Sequence, residues 1–196
     1  MKILAKFVRS SAAPDQFPVT TAPEVAFLGR SNVGKSSLLN ALTGLKLARI
    51  SNTPGRTQTI NFFEVRTDAR HRQPDVIFAD LPGYGYARAP KAIVGEWPGF
   101  IVPYLEKRET LSLCVCLVDV SVPMQKSDQQ LLDWLQAHQR PCVVVGTKSD
   151  RLSGNQLVKA LNQLQSELGS HVMPFSSKTG RGRAELWRAI QTSIKG

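Results

Sequence analysis

The string Gly29-Arg30-Ser31-Asn32-Val33-Gly34-Lys35-Ser36 constrains this chain more than any other part of it. It has the spacing G-x-x-x-x-G-K-S, follows a short apolar run (Val25 to Leu28) and opens a stretch with helical character (Lys35 to Leu42). A strand, a glycine turn and a helix in that order bring several backbone N–H groups onto one point. The positive end of the helix dipole adds to them, so the segment suits a phosphate. On this reading Lys35 reaches the β- and γ-phosphates of a nucleotide and the Ser36 hydroxyl ligates Mg2+.

The rest of the chain alternates in the way such a segment requires. Strands are expected at Ile60 to Arg66, Val76 to Ala79, Leu111 to Asp119, Cys142 to Val145 and Val172 to Phe175. Helices are expected at Gly95 to Lys107, Gln125 to His138, Gln156 to Leu168 and Ala184 to Ile194, with loops at Leu45 to Thr59 and Leu81 to Pro90. Pro98 and Pro103 blur the outline of the first of these helices. The pattern predicts an α/β fold in three layers, a mostly parallel six-stranded sheet with helices on both faces, of the P-loop NTPase kind. At 196 residues one domain is expected over 1–196, with a short lead-in at 1–22, and no staples are needed to bury its core.

In such sheets ligands bind beyond the carboxyl ends of the strands. The remaining motifs fall there. Asp80-Leu81-Pro82-Gly83 reads as D-x-x-G, with Asp80 holding Mg2+ through a water and the Gly83 amide sensing the γ-phosphate. Thr147-Lys148-Ser149-Asp150 carries the choice of base. Guanine offers N1–H and a 2-amino group to one carboxylate, Asp150, whereas adenine would leave that carboxylate unpaired, a mismatch that discriminates strongly. Lys148 would lay its aliphatic stem along the base. Phe175-Ser176-Ser177-Lys178 ends the last strand, where a backbone amide meets the guanine O6. Together these predict GTP and GDP as ligands. A small ATP-using kinase is the rival, and Asp150 and the lack of an acceptor-site insertion speak against it.

Between the first two motifs lies Thr53-Pro54-Gly55-Arg56-Thr57-Gln58-Thr59. A threonine of this loop should complete the Mg2+ shell when the γ-phosphate is present, and Thr57 and Thr59 compete for that role. Loss of the contact on hydrolysis would release the loop. The group that assists hydrolysis is harder to name. Tyr84 stands where a water-orienting glutamine would follow the D-x-x-G glycine. One of Arg30, Arg49, Arg56 and Arg88 could stabilise charge; the favoured alternative is a monovalent cation such as K+ near Asn32.

The net charge of +10 (25 Lys and Arg against 15 Asp and Glu) points towards a polyanionic partner. Lys46, Arg49, Arg56, Arg88 and Lys91 cluster in or beside the two switch loops, with Tyr84 and Tyr86 among them. A basic, partly aromatic surface of this kind could hold rRNA in one nucleotide state and release it in the other. Cys114, Cys116 and Cys142 sit in apolar runs that look buried, which suits a reducing cytosol rather than metal or redox chemistry. The apolar run Leu111 to Val118 is too short to cross a bilayer, so a cytoplasmic protein without membrane contact is expected.

The strings Gly29 to Ser37, Thr53 to Gln58 with Asn61-Phe62-Phe63, Asp80-Leu81-Pro82-Gly83-Tyr84-Gly85-Tyr86 and Thr147 to Asp150 resemble those of the EngB (YihA/YsxC) GTPases, in the TrmE-Era-EngA-EngB-Septin-like superfamily. The likeness runs over essentially the whole chain, from Phe7-Val8-Arg9-Ser10 onward. It implies Thr57 as the switch threonine and Mg2+ ligand beside Ser36, and a normal Tyr84; with Lys35 of the phosphate loop and Asn32 as the cation candidate, the expected catalytic residues are Lys35, Asn32 and Thr57. It implies that Thr147, where many GTPases have asparagine, weakens base affinity without changing specificity, and that Ser177, in place of the usual alanine, changes little. A slow, monomeric GTPase is expected, and the resemblance further implies that it assists assembly of the large ribosomal subunit and is required for normal cell division and septation. A division-linked module that binds a protein partner, with incidental hydrolysis, is the alternative, and the basic switch region favours the ribosomal role.

Overall fold

A computed structural model describes residues 3–47, 59–84 and 97–195. Seven strands make one sheet: β1 (Leu4–Ser11), β2 (Glu24–Gly29), β3 (Ile60–Arg66), β4 (Val76–Asp80), β5 (Leu111–Asp119), β6 (Cys142–Thr147) and β7 (Val172–Pro174). Their order is β1-β3-β4-β2-β5-β6-β7. Among the described residues the α-helices are α1 (Lys35–Thr43), α2 (Ile101–Lys107), α3 (Lys126–Ala137), α4 (Gly154–Leu168) and α5 (Arg183–Ser193). The β4-β2-β5-β6-β7 pairings are all parallel, and β3 alone runs against its neighbours.

The central strands are buried on both faces, so their side chains divide by parity. Val25, Phe27, Phe63, Val65, Val115 and Leu117 point to one side, where Leu38, Leu39 and Leu42 of α1 meet Leu186, Trp187 and Ile190 of α5. Ala26, Leu28, Phe62, Cys114 and Cys116 point to the other, under Tyr104 and Leu105 of α2 and Leu131 and Leu135 of α3. Leu157 and Leu164 of α4 extend that second layer over Val118, Val144 and Val172. The Trp187 indole N–H donates to the Leu42 carbonyl at 2.8 Å, tying α5 to the end of α1.

Three differences from the sequence expectations have local causes. The sheet has seven strands rather than six, because part of the lead-in pairs antiparallel with β3. Its signal is weak: a bulge between Phe7 and Arg9 breaks the alternation, and Lys6 and Phe7 face outward on an edge. Helix α4 begins at Gly154, not Gln156, since Ser153 and Gln156 form a reciprocal capping box. Helix α2 begins at Ile101, after Pro98, and Pro103 falls in its first turn, where a missing N–H costs nothing. Residues 95 and 96 of the expected helix lie outside the described residues. Cys142, expected to be buried, is exposed at the start of β6, while Cys114 and Cys116 are buried.

Candidate guanine-nucleotide site

The carboxyl ends of β2, β4, β5 and β6 deliver Gly29, Asp80, Asp119 and Thr147 to one edge of the sheet. The chain order reverses on either side of β2, between β4 and β5, which is the place where a crevice opens in such sheets. Gly29 to Ser36 wraps from β2 into α1 there. Asn32 and Gly34 take left-handed backbone angles (φ 62° and 105°), a region open to Asn and Gly at small cost. Gly34 then caps α1, so the first helical amides face the crevice with Lys35 and Ser36 in the first turn. The Lys35 ammonium bonds the Asp80 carboxylate, both nearly buried.

Gly83 comes so close to this loop that a Cβ on it would lie 2.7 Å from the Ser31 hydroxyl and 3.1 Å from the Ser31 nitrogen. Beside it the Ser31 N–H donates to the Tyr84 carbonyl at 3.1 Å, and Arg30 and Tyr84 form a parallel β-bridge. The segment Asp80-Leu81-Pro82-Gly83 is thus docked on the Gly29 to Ser36 loop. Tyr84 is not the surface aromatic that the sequence suggested. Its side chain is buried at 3% exposure in the layer under α3, and its hydroxyl donates to Asp128 at 3.0 Å. A residue turned inward at this position cannot orient a water at the phosphate. Lys46 is exposed; Arg49, Arg56, Tyr86, Arg88 and Lys91 of the basic cluster lie outside the described residues. So do Gly55, Thr57 and Gln58, whereas Thr59 precedes β3, its hydroxyl 3.5 Å from the Asn61 side chain.

The base side of the site is welded to the phosphate side. The buried Thr147 hydroxyl donates to the Val33 carbonyl at 2.6 Å, shared with Val118 at 3.1 Å. Lys148, itself in a left-handed conformation (φ 60°), donates to the Asn32 carbonyl at 2.8 Å and to Asp119 at 2.6 Å. Burial pushes the Asp119 carboxyl up, but hydrogen bonds from Lys148 and Ser121 more than offset this and leave it below its ordinary value. Asp150 is exposed at the mouth, and the Ser176 hydroxyl donates to it at 2.7 Å, the main reason its carboxyl is held below the usual range. Ser176 in turn accepts from the amides of Lys178 and Thr179, at 3.2 and 3.1 Å. Ser149 N–H donates to the Phe175 carbonyl, which fastens the two base-side loops together, and Ser177 is exposed beside them.

Motif spacing therefore brings together most of its described candidates, Ser176 among them in an orienting role, and two further residues, Asp119 and Asp128, stand behind them. Asp119 fixes Lys148, Ser176 fixes Asp150, and Asp128 holds Tyr84. Asp119 had a readable signal, a carboxylate ending an apolar strand at the crevice. Asp128 had none, because only the fold carries α3 to Tyr84.

A family profile described as "50S ribosome-binding GTPase" matches residues 24–148. A relative from Koribacter versatilis, named Probable GTP-binding protein EngB, is 61% identical over 191 residues, covering 97% of this chain and 94% of the relative. One of the same name from Acidobacterium capsulatum is 54% identical, covering 97% of this chain and 90% of the relative. The crystal structure of a probable GTP-binding protein engB superposes with a TM-score of 0.66 at 24% identity, covering 88% of this chain and 98% of that one. The phosphate cradle, the docked D-x-x-G segment and the carboxylate at the base mouth are thus placed in a known lineage: the chain belongs to the EngB family of GTP-binding proteins.

Proposed function

We propose that this chain is a slow, monomeric GTP-hydrolysing switch of the cytoplasm that assists assembly of the large ribosomal subunit, and through it normal division and septation. The observation that carries the nucleotide part is the Lys148 ammonium, bonded at once to the Asn32 carbonyl of the phosphate loop and to Asp119. It sets a fixed separation between a base read by Asp150 and phosphates cradled by Gly29 to Ser36. A ligand with a guanine base and a phosphate chain satisfies both ends.

Mg2+ fits the donors on the phosphate side. Ser36 and Asp80 offer hard oxygens, and Asp80 is 5% exposed beside Lys35. A triphosphate would draw Lys35 off Asp80, freeing the carboxylate to hold a hydrated Mg2+ while Ser36 and Thr57 bind it directly. The ion supplies charge neutralisation between the phosphates. Slow turnover follows from Tyr84, which faces the interior and leaves the water-orienting position without a polar side chain. A K+ ion at Asn32 would supply the missing positive charge. The Asn32 carbonyl is committed to Lys148, so the cation would use the exposed side-chain amide oxygen. Equal turnover in potassium and sodium salts, in wild type and Asn32→Ala alike, would remove K+ from this account.

The ribosomal part is supported by the net charge of +10 and by the description of the matching family. Sedimentation with precursors of the large subunit should be stronger with a GTP analogue than with GDP, and should weaken steeply with salt. Equal binding in both states would overturn the switch. Depletion should leave incomplete large subunits; filamentous cells with normal ribosomes would instead support the division-linked module.

A further inference from the structure

Asp128 is a carboxylate in an unusual place. It sits in the first turn of α3, where acidic side chains commonly face water and favour the helix dipole, yet it is only 5% exposed. It accepts the hydroxyl of Tyr84 at 3.0 Å. Arg30, of the phosphate loop, lies close enough to both groups to act on their charge, and its Nε is buried without a hydrogen-bond partner. One buried cluster therefore joins three elements that GTP turnover must coordinate: the phosphate loop, the residue after the γ-phosphate-sensing glycine, and α3.

We propose that Asp128 is a positioning residue for GTP turnover, acting through Tyr84 to hold the Gly83–Tyr84 peptide against Ser31 of the phosphate loop. The inference rests on the GTP-hydrolase reading above. The linkage is continuous. Asp128 fixes the Tyr84 hydroxyl, and the Tyr84 carbonyl receives the Ser31 N–H at 3.1 Å. Gly83, one residue earlier, packs directly on Ser31. Its amide is the group that reports the γ-phosphate, so the ring of Tyr84 is the anchor and Asp128 the post to which it is tied. Helix-dipole stabilisation alone would be served by an exposed carboxylate and would not need Tyr84.

The groups facing Asp128 give the arrangement a pH signature. Burial pushes its carboxyl up to about 6, with Tyr84 and Arg30 pulling it down and Asp119 pushing it up. Cys116 lies near Tyr84 in the same layer. Above pH about 6 the carboxylate is charged and accepts the Tyr84 hydroxyl as an anion, with the Arg30 charge favouring that form; below it the charge is lost.

The test compares wild type with Asp128→Asn, which keeps an acceptor for Tyr84 but removes the charge, and with Tyr84→Phe, which removes the hydroxyl alone. Asp133→Asn, on the exposed side of α3, is the control. Single-turnover GTP hydrolysis and fluorescent GDP binding are followed from pH 5 to 8, with thermal unfolding alongside. Both cluster variants should lose about tenfold in kcat, the worth of one charge-assisted hydrogen bond, with GDP affinity within about twofold of wild type. Wild-type kcat should fall on the acid side with a midpoint near the Asp128 value of about 6, and Asp128→Asn should lack that limb. Asp128→Asn should also unfold no earlier than wild type, which separates positioning from damage to the fold. Turnover and pH profile equal to wild type in Asp128→Asn would overturn the inference. Failure of wild type to bind guanine nucleotide would instead overturn the functional reading on which it rests.

Discussion

Thr147 shares one hydroxyl between the carbonyls of Val33 and Val118, at a position 3% exposed. Its place in the sequence suggests a weak substitute for asparagine in base binding; in the structure it ties β6 to the phosphate loop. Thr147→Val keeps the shape and strands the Val33 carbonyl, so it should cost about 1–3 kcal/mol in chemical denaturation and weaken GDP binding by a similar margin. On the base side, Asp150→Asn replaces an acceptor with a donor and should lower GTP affinity at least ~100-fold while improving binding of a xanthine nucleotide. Ser176→Ala should lower it by only ~3–10-fold, since the carboxylate stays and merely loses its orienting bond. Asp128 supplies a stability prediction of opposite sign. Folding raises its pKa from 3.8 to about 6, so its contribution favours the folded state below pH about 4 and is lost as pH rises through about 6. Asp128→Asn should therefore be more stable than wild type at pH 7.5, by about 1–3 kcal/mol, and converge with it near pH 4. The residues proposed to face the nucleotide are legible in sequence because their motifs are contiguous. Asp119 and Asp128 act on other residues across 29 and 44 positions of chain, and Ser176, itself part of a motif, reaches Asp150 across 26, and no local pattern encodes those partners.

Among the elements, those with dense apolar runs read to the residue. Ile60–Arg66 and Leu111–Asp119 are expected and observed with the same bounds, since their aromatic and β-branched residues are packed against the core on both faces of the sheet. The start of α4 shifts by two residues because a capping box, not the apolar stripe, sets it. Strand β1 escaped as a separate element because it is an edge: one side pairs with β3, a bulge interrupts it, and Phe7 is 53% exposed while resting edge-on against Phe63. It nevertheless shields β3. Deleting residues 1–11 should expose the β3 edge, lower the unfolding temperature and promote concentration-dependent aggregation, measurable by light scattering. Unchanged melting and a monodisperse solution would show that β3 closes the sheet unaided.

For the molecule as a whole, a single sheet gathers Gly29, Asp80, Asp119 and Thr147 on one edge, where we propose that GTP binds, and the chain carries a net charge of +10. Charge favours any phosphate-rich partner and cannot choose among nucleotides; in the proposed function that choice falls to Asp150 and the Lys148 tether. The most direct measurement is therefore competition at equilibrium: fluorescent GDP on the full chain, challenged with unlabelled GDP, GTP or ATP in the presence of Mg2+. Displacement by GDP and GTP is expected, and none by ATP at ~100-fold excess. Displacement by ATP as readily as by GTP would contradict the proposed function.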